Sequence, residues 1–325
     1  MRALITGCGI AVTGIADEHD LLEPGSGSVP EDDAGRGGAG LRHKDRASRL
    51  ALRATRRALH GTALPASGTA VIVSSNLGNL DTVCAFVDTI GKETVVGLSP
   101  MRVPHMSSNV TAGWLALEHG LRGPNVTLCS GTTSGLDAMF WATALLAAGR
   151  AEAAVVVGVE PDTAPVARLY AEHGGATHLD GAACLVVETP ARARARGARP
   201  RAEIHAYGRA ADHAEAVRRA TRGWPGPIGL RLAAGPGVAA EAAATVDLTA
   251  RLGRCSGALG VLQCAAALAW LDRPGHDAVL AVAGGDSEHP DGEGDPSGVA
   301  AVLLTRPAEY DANARGGGDE RHDAA

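Results

Sequence analysis

Five side chains with usable heteroatoms fall within six positions of the stretch PNVTLCSGTTSGLDA, residues 124–138: Cys129, Ser130, Thr132, Thr133 and Ser134. A β-rich apolar run, 126–129, meets small residues at 130–135, and an apolar helical segment starts at Leu136. Strand, tight turn and helix start make the layout of a nucleophile elbow, which lifts one side chain toward the free N–H groups of the helix, where negative charge is stabilised. Thr132 takes the raised position. An alcohol stays protonated at neutral pH and needs a general base. By residue type the bases are His105, His173, His178 and His205, none at a spacing that fixes it beside the elbow. Ser134 and Cys129 are the other candidate nucleophiles, but strand geometry aims Cys129 into the packing of the sheet, so a buried thiol is expected there.

Other chemistries find less support. The six cysteines, Cys8, Cys84, Cys129, Cys184, Cys255 and Cys264, form no CxxC pair and have no histidine at ligand spacing, so no metal site is expected. GCG at 7–9 opens like a dinucleotide fingerprint, yet no helix with the required glycine spacing follows. The acidic run 286–295 lacks the ordered alternation of a calcium loop. No cofactor is expected.

The elements that must position the elbow follow from apolar patterning. In the first half, strands are predicted at 2–13, 70–75, 126–129, 153–159 and 182–188. Helices are predicted at 45–60, 80–90, 109–120 and 135–148, with a loop at 99–104. Asp45 starts the first helix, whose Leu50, Ala51, Ala54 and Ala58 share one face opposite arginines. The second half repeats the order, with strands at 202–207, 228–233, 245–250, 278–283 and 298–305 and helices at 214–221, 238–244 and 257–271. Such duplication predicts an α/β fold in which two βαβαβαββ halves pack into one layered α-β-α-β-α core. The halves are expected at 1–195 and 196–307, with a tail over 308–325; the Gly/Pro/Ser-rich stretch 21–40 reads as a surface loop.

Charge and hydropathy narrow the partners. With 325 residues and a net charge of −6, the chain is no electrostatic nucleic-acid binder, and the arginine run 191–201 reads as a solvated helix end and loop. No apolar run approaches the roughly 20 residues of a membrane span. No membrane partner is expected, and residues 1–9 read as a strand instead of a secretory signal, so a cytoplasmic location is expected.

In their order, the segments DRASRLALRA, GLRGPNVTLCSGTTSGLDA, AAGRAEAAVVVGVE, ARARGARPRAEIHAYG and GRCSGALG resemble a β-ketoacyl synthase of the thiolase-fold superfamily. The resemblance implies an acyltransferase whose elbow cysteine takes the acyl chain, helped by two histidines and a lysine. Here the matching positions hold Thr132, Ala234, Arg254 and Thr249, and the Gly-Phe-Gly-Gly gate is replaced by AGGDSEHPDGEGDPS at 283–297. Neither Ala234 nor Arg254 can relay a proton at neutral pH. No catalytic residue is therefore expected, and the chain is most similar to a chain length factor, the non-condensing partner of an active ketosynthase, although that family commonly carries glutamine at the elbow. The resemblance implies a heterodimer with an active ketosynthase, an acyl carrier protein as second partner, and a tunnel for the growing chain of a polyketide or a fatty-acid-like product. Cys129, Thr132, Thr133, Leu136, Met139 and Phe140 are the tunnel or interface candidates. Arg254, at a helix start, is expected to bind a backbone carbonyl, a carboxylate or the phosphopantetheine arm of the carrier. Two other readings are an acyltransferase with a rearranged nucleophile (Thr132, Ser134 or Cys129) and a homodimeric acyl-binding scaffold.

Overall fold

The computed structural model describes residues 2–23, 44–171, 177–233, 242–285 and 298–308. Ala234, His173, the loop over 24–40, most of the predicted helix 238–244, the acidic run 286–295 and the tail beyond 308 lie outside them.

Along the chain the elements are β1 (Ala3–Val12), α1 (Arg46–Ala58), β2 (Thr69–Ser74), α2 (Leu80–Glu93), α3 (Val110–His119), β3 (Asn125–Leu128), α4 (Ser134–Ala147), β4 (Ala153–Glu160), α5 (Ala164–Ala171), β5 (Gly181–Glu188) and α6 (Pro190–Ala195). The second half continues with β6 (Ala202–Ala210), α7 (His213–Ala220), β7 (Leu230–Leu232), β8 (Ala244–Val246), α8 (Thr249–Leu252), α9 (Leu259–Leu271), β9 (Ala278–Gly284) and β10 (Val299–Thr305). Local chemistry sets the ends. The Asp45 carboxylate accepts from Ser48 N at 2.7 Å to cap α1, and Gly120 closes α3 at φ +64°.

Among the described residues the strands form one ten-stranded sheet in the order β3-β2-β4-β5-β1-β6-β10-β9-β7-β8. Read outward from its middle, each half runs first, fifth, fourth, second, third, so the expected duplication is visible in the strand order. The two halves of the sheet meet where residues 3–5 of β1 pair antiparallel with 202–204 of β6. Strands β4 and β5 are buried along their whole length and read as continuous Ala/Val runs, as strands covered on both faces must.

Helices fill the remaining layers. α1 and α3 cover one outer face, on β1, β5 and β2; α7 covers the other, on β6 and β10; α4 and α9 lie between the two halves of the sheet. The central pair and the strand faces toward it share one apolar core that includes Leu136, Met139, Leu262 and Leu268. The pair touches backbone to backbone: a Cβ at Gly135 would stand 2.7 Å from Gly260 N. Neither backbone can retreat from between the two halves of the sheet. Gly135→Ala is therefore expected to lower the unfolding free energy by about 2 kcal/mol through overpacking, measurable by urea denaturation, whereas Gly113→Ala in α3, where a Cβ meets nothing within 4 Å, should be neutral or stabilising.

Three local expectations need correction. The strand predicted at 245–250 stops at Val246, because Asp247 Oδ1 accepts from Thr249 N at 2.8 Å and Thr249 Oγ1 at 2.7 Å and turns the chain into α8. The loop predicted at 99–104 winds into a 3-10 helix, Pro100–Met106. The arginine run is only partly solvated: Arg196 pairs with the fully buried Glu188 at 2.6 Å, and Arg201 binds Glu18 and Asp272, the latter at 2.5 Å. Glu18, His19 and Asp272 also have metal-ligand spacing, but Arg201 already supplies the cation between their carboxylates.

Candidate functional site

β3 delivers the chain to the elbow at the edge of the sheet. Gly131, at φ +69°, makes the turn a side chain would resist, and a 3-10 turn, Gly131–Thr133, leads into α4. Thr132, Thr133 and Ser134 are buried there. A second turn of the same form, Ser256–Ala258, precedes α9, with Ser256 at φ +41°. Asn76 joins the two: its Nδ2 donates to Gly131 O at 2.9 Å and Ser256 Oγ at 2.8 Å.

Cys129 departs from expectation. It is exposed, since β3 is the outermost strand and the residue follows its last ladder position. Its thiol donates to Ser75 O at 2.8 Å, and desolvation together with the Glu160 carboxylate pushes its pKa up, away from the reactive thiolate.

Glu160, the last residue of β4, lies one position past the strand predicted at 153–159. Its fully enclosed carboxylate accepts from Asn76 N at 2.6 Å, Gly257 N at 3.0 Å and Leu77 N at 3.1 Å, so one side chain holds the turn after β2 and the turn before α9. Burial raises its pKa to about 7, outweighing the backbone donors that favour the charged form.

A second polar cluster lies beneath the elbow, also unread in the sequence. Asp137 in the first turn of α4 accepts from Ser130 Oγ at 2.9 Å, Thr133 Oγ1 at 3.0 Å, Tyr207 OH at 2.5 Å and Arg209 Nη1. Arg209 Nη1 also donates to Thr133 Oγ1 at 2.9 Å. Desolvation and Asp137 raise the Tyr207 phenol well above its usual range. β6 thus fastens the elbow of the first half from the second half, over more than 70 residues of sequence.

The positions resembling the remaining catalytic groups are spread over the next elements. Arg254 forms a parallel bridge with His178, Leu179 N donating to Arg254 O at 2.9 Å, and its guanidinium lies 5.3 Å from the centre of the Tyr170 ring. His178 packs against the same ring at 4.2 Å, and burial lowers its pKa. Thr249 is spent on Asp247. Of the other histidines, His105 packs on Trp114 at 5.6 Å, and His205 Nε2 lies 3.2 Å from Arg222 O. Leu136 and Met139 are fully buried in the central core, whereas Phe140 is 40% exposed and stacks on Tyr207 at 4.8 Å.

Apolar side chains also cluster on the surface. Val87 and Ile90 of α2, Val95 and Val96 after it, and Met101 and Val103 in the 3-10 helix are all exposed, as is Trp141 beside Phe140. Patches of this kind mark interaction sites on soluble proteins. Among the described residues, no helix is long and apolar enough to cross a membrane.

Comparison with known proteins agrees with this architecture. Residues 32–192 match the family model described as the N-terminal domain of β-ketoacyl synthase. The 3-oxoacyl-[acyl-carrier-protein] synthase 2 of Vibrio harveyi is 31% identical over 166 residues, covering 44% of this chain and 40% of that protein. The enzyme of the same description from Rhizobium meliloti (strain 1021) is 28% identical over 168 residues, covering 44% and 39%. The chain thus spans about 40% of the length of the curated relatives it matches. The ishigamide ketosynthase/chain length factor structure superimposes with a TM-score of 0.74 at 23% identity, covering 94% of this chain and 99% of that one. A type II PKS acyl-carrier protein in complex with its ketosynthase bound to the hexaketide superimposes with a TM-score of 0.76 at 16% identity, over the same shares. These likenesses establish a thiolase-like fold, within which residues 32–192 match the β-ketoacyl synthase family.

Proposed function

We propose that this chain is a ketosynthase-like subunit that does not condense acyl units, and that it pairs with an active ketosynthase and shapes the tunnel for the growing acyl or polyketide chain. The observation that carries this reading is the chemistry at the two joined turns. The raised residue of the elbow is Thr132, an alcohol, and the position just before the second turn holds Arg254, a permanent cation that cannot pass a proton. Cys129, the sulfur just before the elbow, holds its proton more tightly than a free thiol and turns it to Ser75 O. The turns are nonetheless tied into the fold by hydrogen bonds from Glu160, Asn76 and Asp137.

Pairing has its own support. The exposed apolar residues from Val87 to Val103, with Phe140 and Trp141, offer the hydrophobic centre a stable interface needs. β3, on which the helix carrying Phe140 and Trp141 packs, ends the ten-stranded order. A carrier protein is the second partner in this reading, as in the solved complex of a carrier protein with its ketosynthase.

Incubated alone with an acyl thioester, the protein should show no added acyl mass by intact mass spectrometry. A mass increase that disappears in Thr132→Ala or Cys129→Ala would replace this reading with that of a rearranged acyltransferase. Co-expressed with a ketosynthase encoded beside it, the chain should elute as a heterodimer; homodimers alone would point to a scaffold.

A further inference from the structure

Helix α1 carries five arginines, Arg46, Arg49, Arg53, Arg56 and Arg57, and no acid after its cap Asp45. At about 100° per residue all five fall within about 100° of the helix circumference, on the side away from the buried Ala47, Ala51, Ala54 and Ala58. Arg49 stands four residues before Arg53 and Arg53 four before Arg57, and like charges at that spacing destabilise a helix. Two of the five are neutralised, Arg46 by Asp180 in a two-pronged pair and Arg56 by Glu118 of α3 at 2.7 Å. Arg57 is held by the carbonyl of Ile10, which fixes its place without cancelling its charge. Arg49 and Arg53 have no carboxylate in ion-pair reach among the described residues. Both precede the last turn of α1, so the partial negative charge at its C-terminus does not offset them.

The surroundings of the stripe narrow its partner. Leu117 of α3, next to the Glu118 that binds Arg56, is 75% exposed. Four residues earlier on the same face, a Cβ at Gly113 would meet nothing within 4 Å, so α3 leaves open space beside that leucine. An apolar anchor therefore stands at the edge of a basic row. The whole chain has a net charge of −6, so the molecule outside α1 is more acidic still. An extended polyanion such as a nucleic acid or an anionic membrane would meet that acidity on either side of the stripe. A single acidic helix would not. Its carboxylates at i and i+4 recur every 6 Å or so, which is also about the rise from Arg49 to Arg53, and an apolar row beside them would reach Leu117.

We propose that the solvent face of α1, with Leu117 of α3 at its edge, docks an acidic amphipathic helix of a partner protein, Arg49 and Arg53 facing its carboxylates. This face shares no residue with the elbow or with the apolar surface offered for pairing, and the proposal holds whether or not the chain pairs with a ketosynthase. Fluorescence anisotropy of the intact protein tests it with a labelled helical peptide that carries a row of glutamates beside a row of leucines. The competitors are the same peptide with glutamines for the glutamates, a short DNA strand and phosphatidylserine vesicles. The glutamate peptide should bind about tenfold tighter than the glutamine peptide, and its binding should weaken as salt is raised. Arg49→Glu and Arg53→Glu should each weaken it about tenfold, and Leu117→Ser about threefold. Arg218→Glu, the same change of net charge on the exposed side of α7, should leave it unchanged. Absence of saturable binding, equal binding of the glutamine peptide, tighter binding of the DNA strand or the vesicles, or an equal loss in Arg218→Glu would overturn the proposal.

Discussion

An Asp137→Ala variant is expected to unfold with about 3 kcal/mol less free energy than the natural protein, because four donors lose their only shared acceptor at once. Asp137 is 10% exposed at its side chain, so water does not replace it; Arg209 is 37% exposed and regains part of its hydration, which keeps the loss at the lower end for a broken buried pair. Chemical denaturation measures the loss. Removing Arg209 as well, in Asp137→Ala/Arg209→Ala, should recover some of it, because a guanidinium partly desolvated beside the missing carboxylate costs more than the absence of both groups. A second readout is specific to the network. Tyr207 is one of three tyrosines, and its phenol, held well above the usual range by burial and by Asp137, should ionise at lower pH once Asp137 is gone, visible as a downward shift in an ultraviolet titration. A loss below about 1 kcal/mol would mean the cluster only decorates the elbow.

Glu160 gives the second large effect, and its sign runs opposite to that of an ion-paired carboxylate. Its folded pKa, about 7, lies above the ordinary 4.5, so the folded state holds the proton more tightly than the unfolded chain. The stabilisation from that proton is complete below about pH 4.5 and is lost as pH rises through about 7. Two and a half pKa units correspond to about 3 kcal/mol. The unfolding free energy of the natural protein, measured in urea between pH 4.5 and 7.5, should therefore decline relative to Glu160→Gln by about that amount. The difference between the two proteins cancels the contributions of His119 and His178, whose lowered pKa values act in the reverse direction. Parallel pH profiles would show that the carboxylate stays ionised throughout, held by its backbone donors.

The contrast between these two residues also shows what was legible in the sequence. Strands such as β4, β5 and β10 could be read to within a residue or two, because burial on both faces leaves an unbroken apolar run. The elbow could be read because its chemistry is local: a strand, Gly131 and a helix start lie within ten residues. Short elements were missed where a side chain and not a pattern sets them, as with Asp247 turning the chain into α8. α5, only 8 residues long, carries too few turns for its period to show. The partners of Asp137 could not be read at all, since Tyr207 and Arg209 lie 70 and 72 positions away and meet it only once β6 is in the sheet. Glu160 follows the predicted strand as one acidic residue, and its burial depends on three backbone donors contributed by two distant turns.

The contact of Gly135 with Gly260 constrains the history of the molecule as well as its packing. Each glycine is the second residue of its helix, and each follows a 3-10 turn that begins with a positive φ, so the two stand at equivalent places in the two repeats. A descendant copy could lose its reactive residues at the turns without disturbing this contact, since Thr132 and Arg254 lie outside it. Neither repeat could enlarge its own glycine while the other kept the same backbone path. The two repeats are thus coupled at the crossing, where a side chain added to one glycine has to be accommodated by the backbone of the other, whatever residues the turns carry.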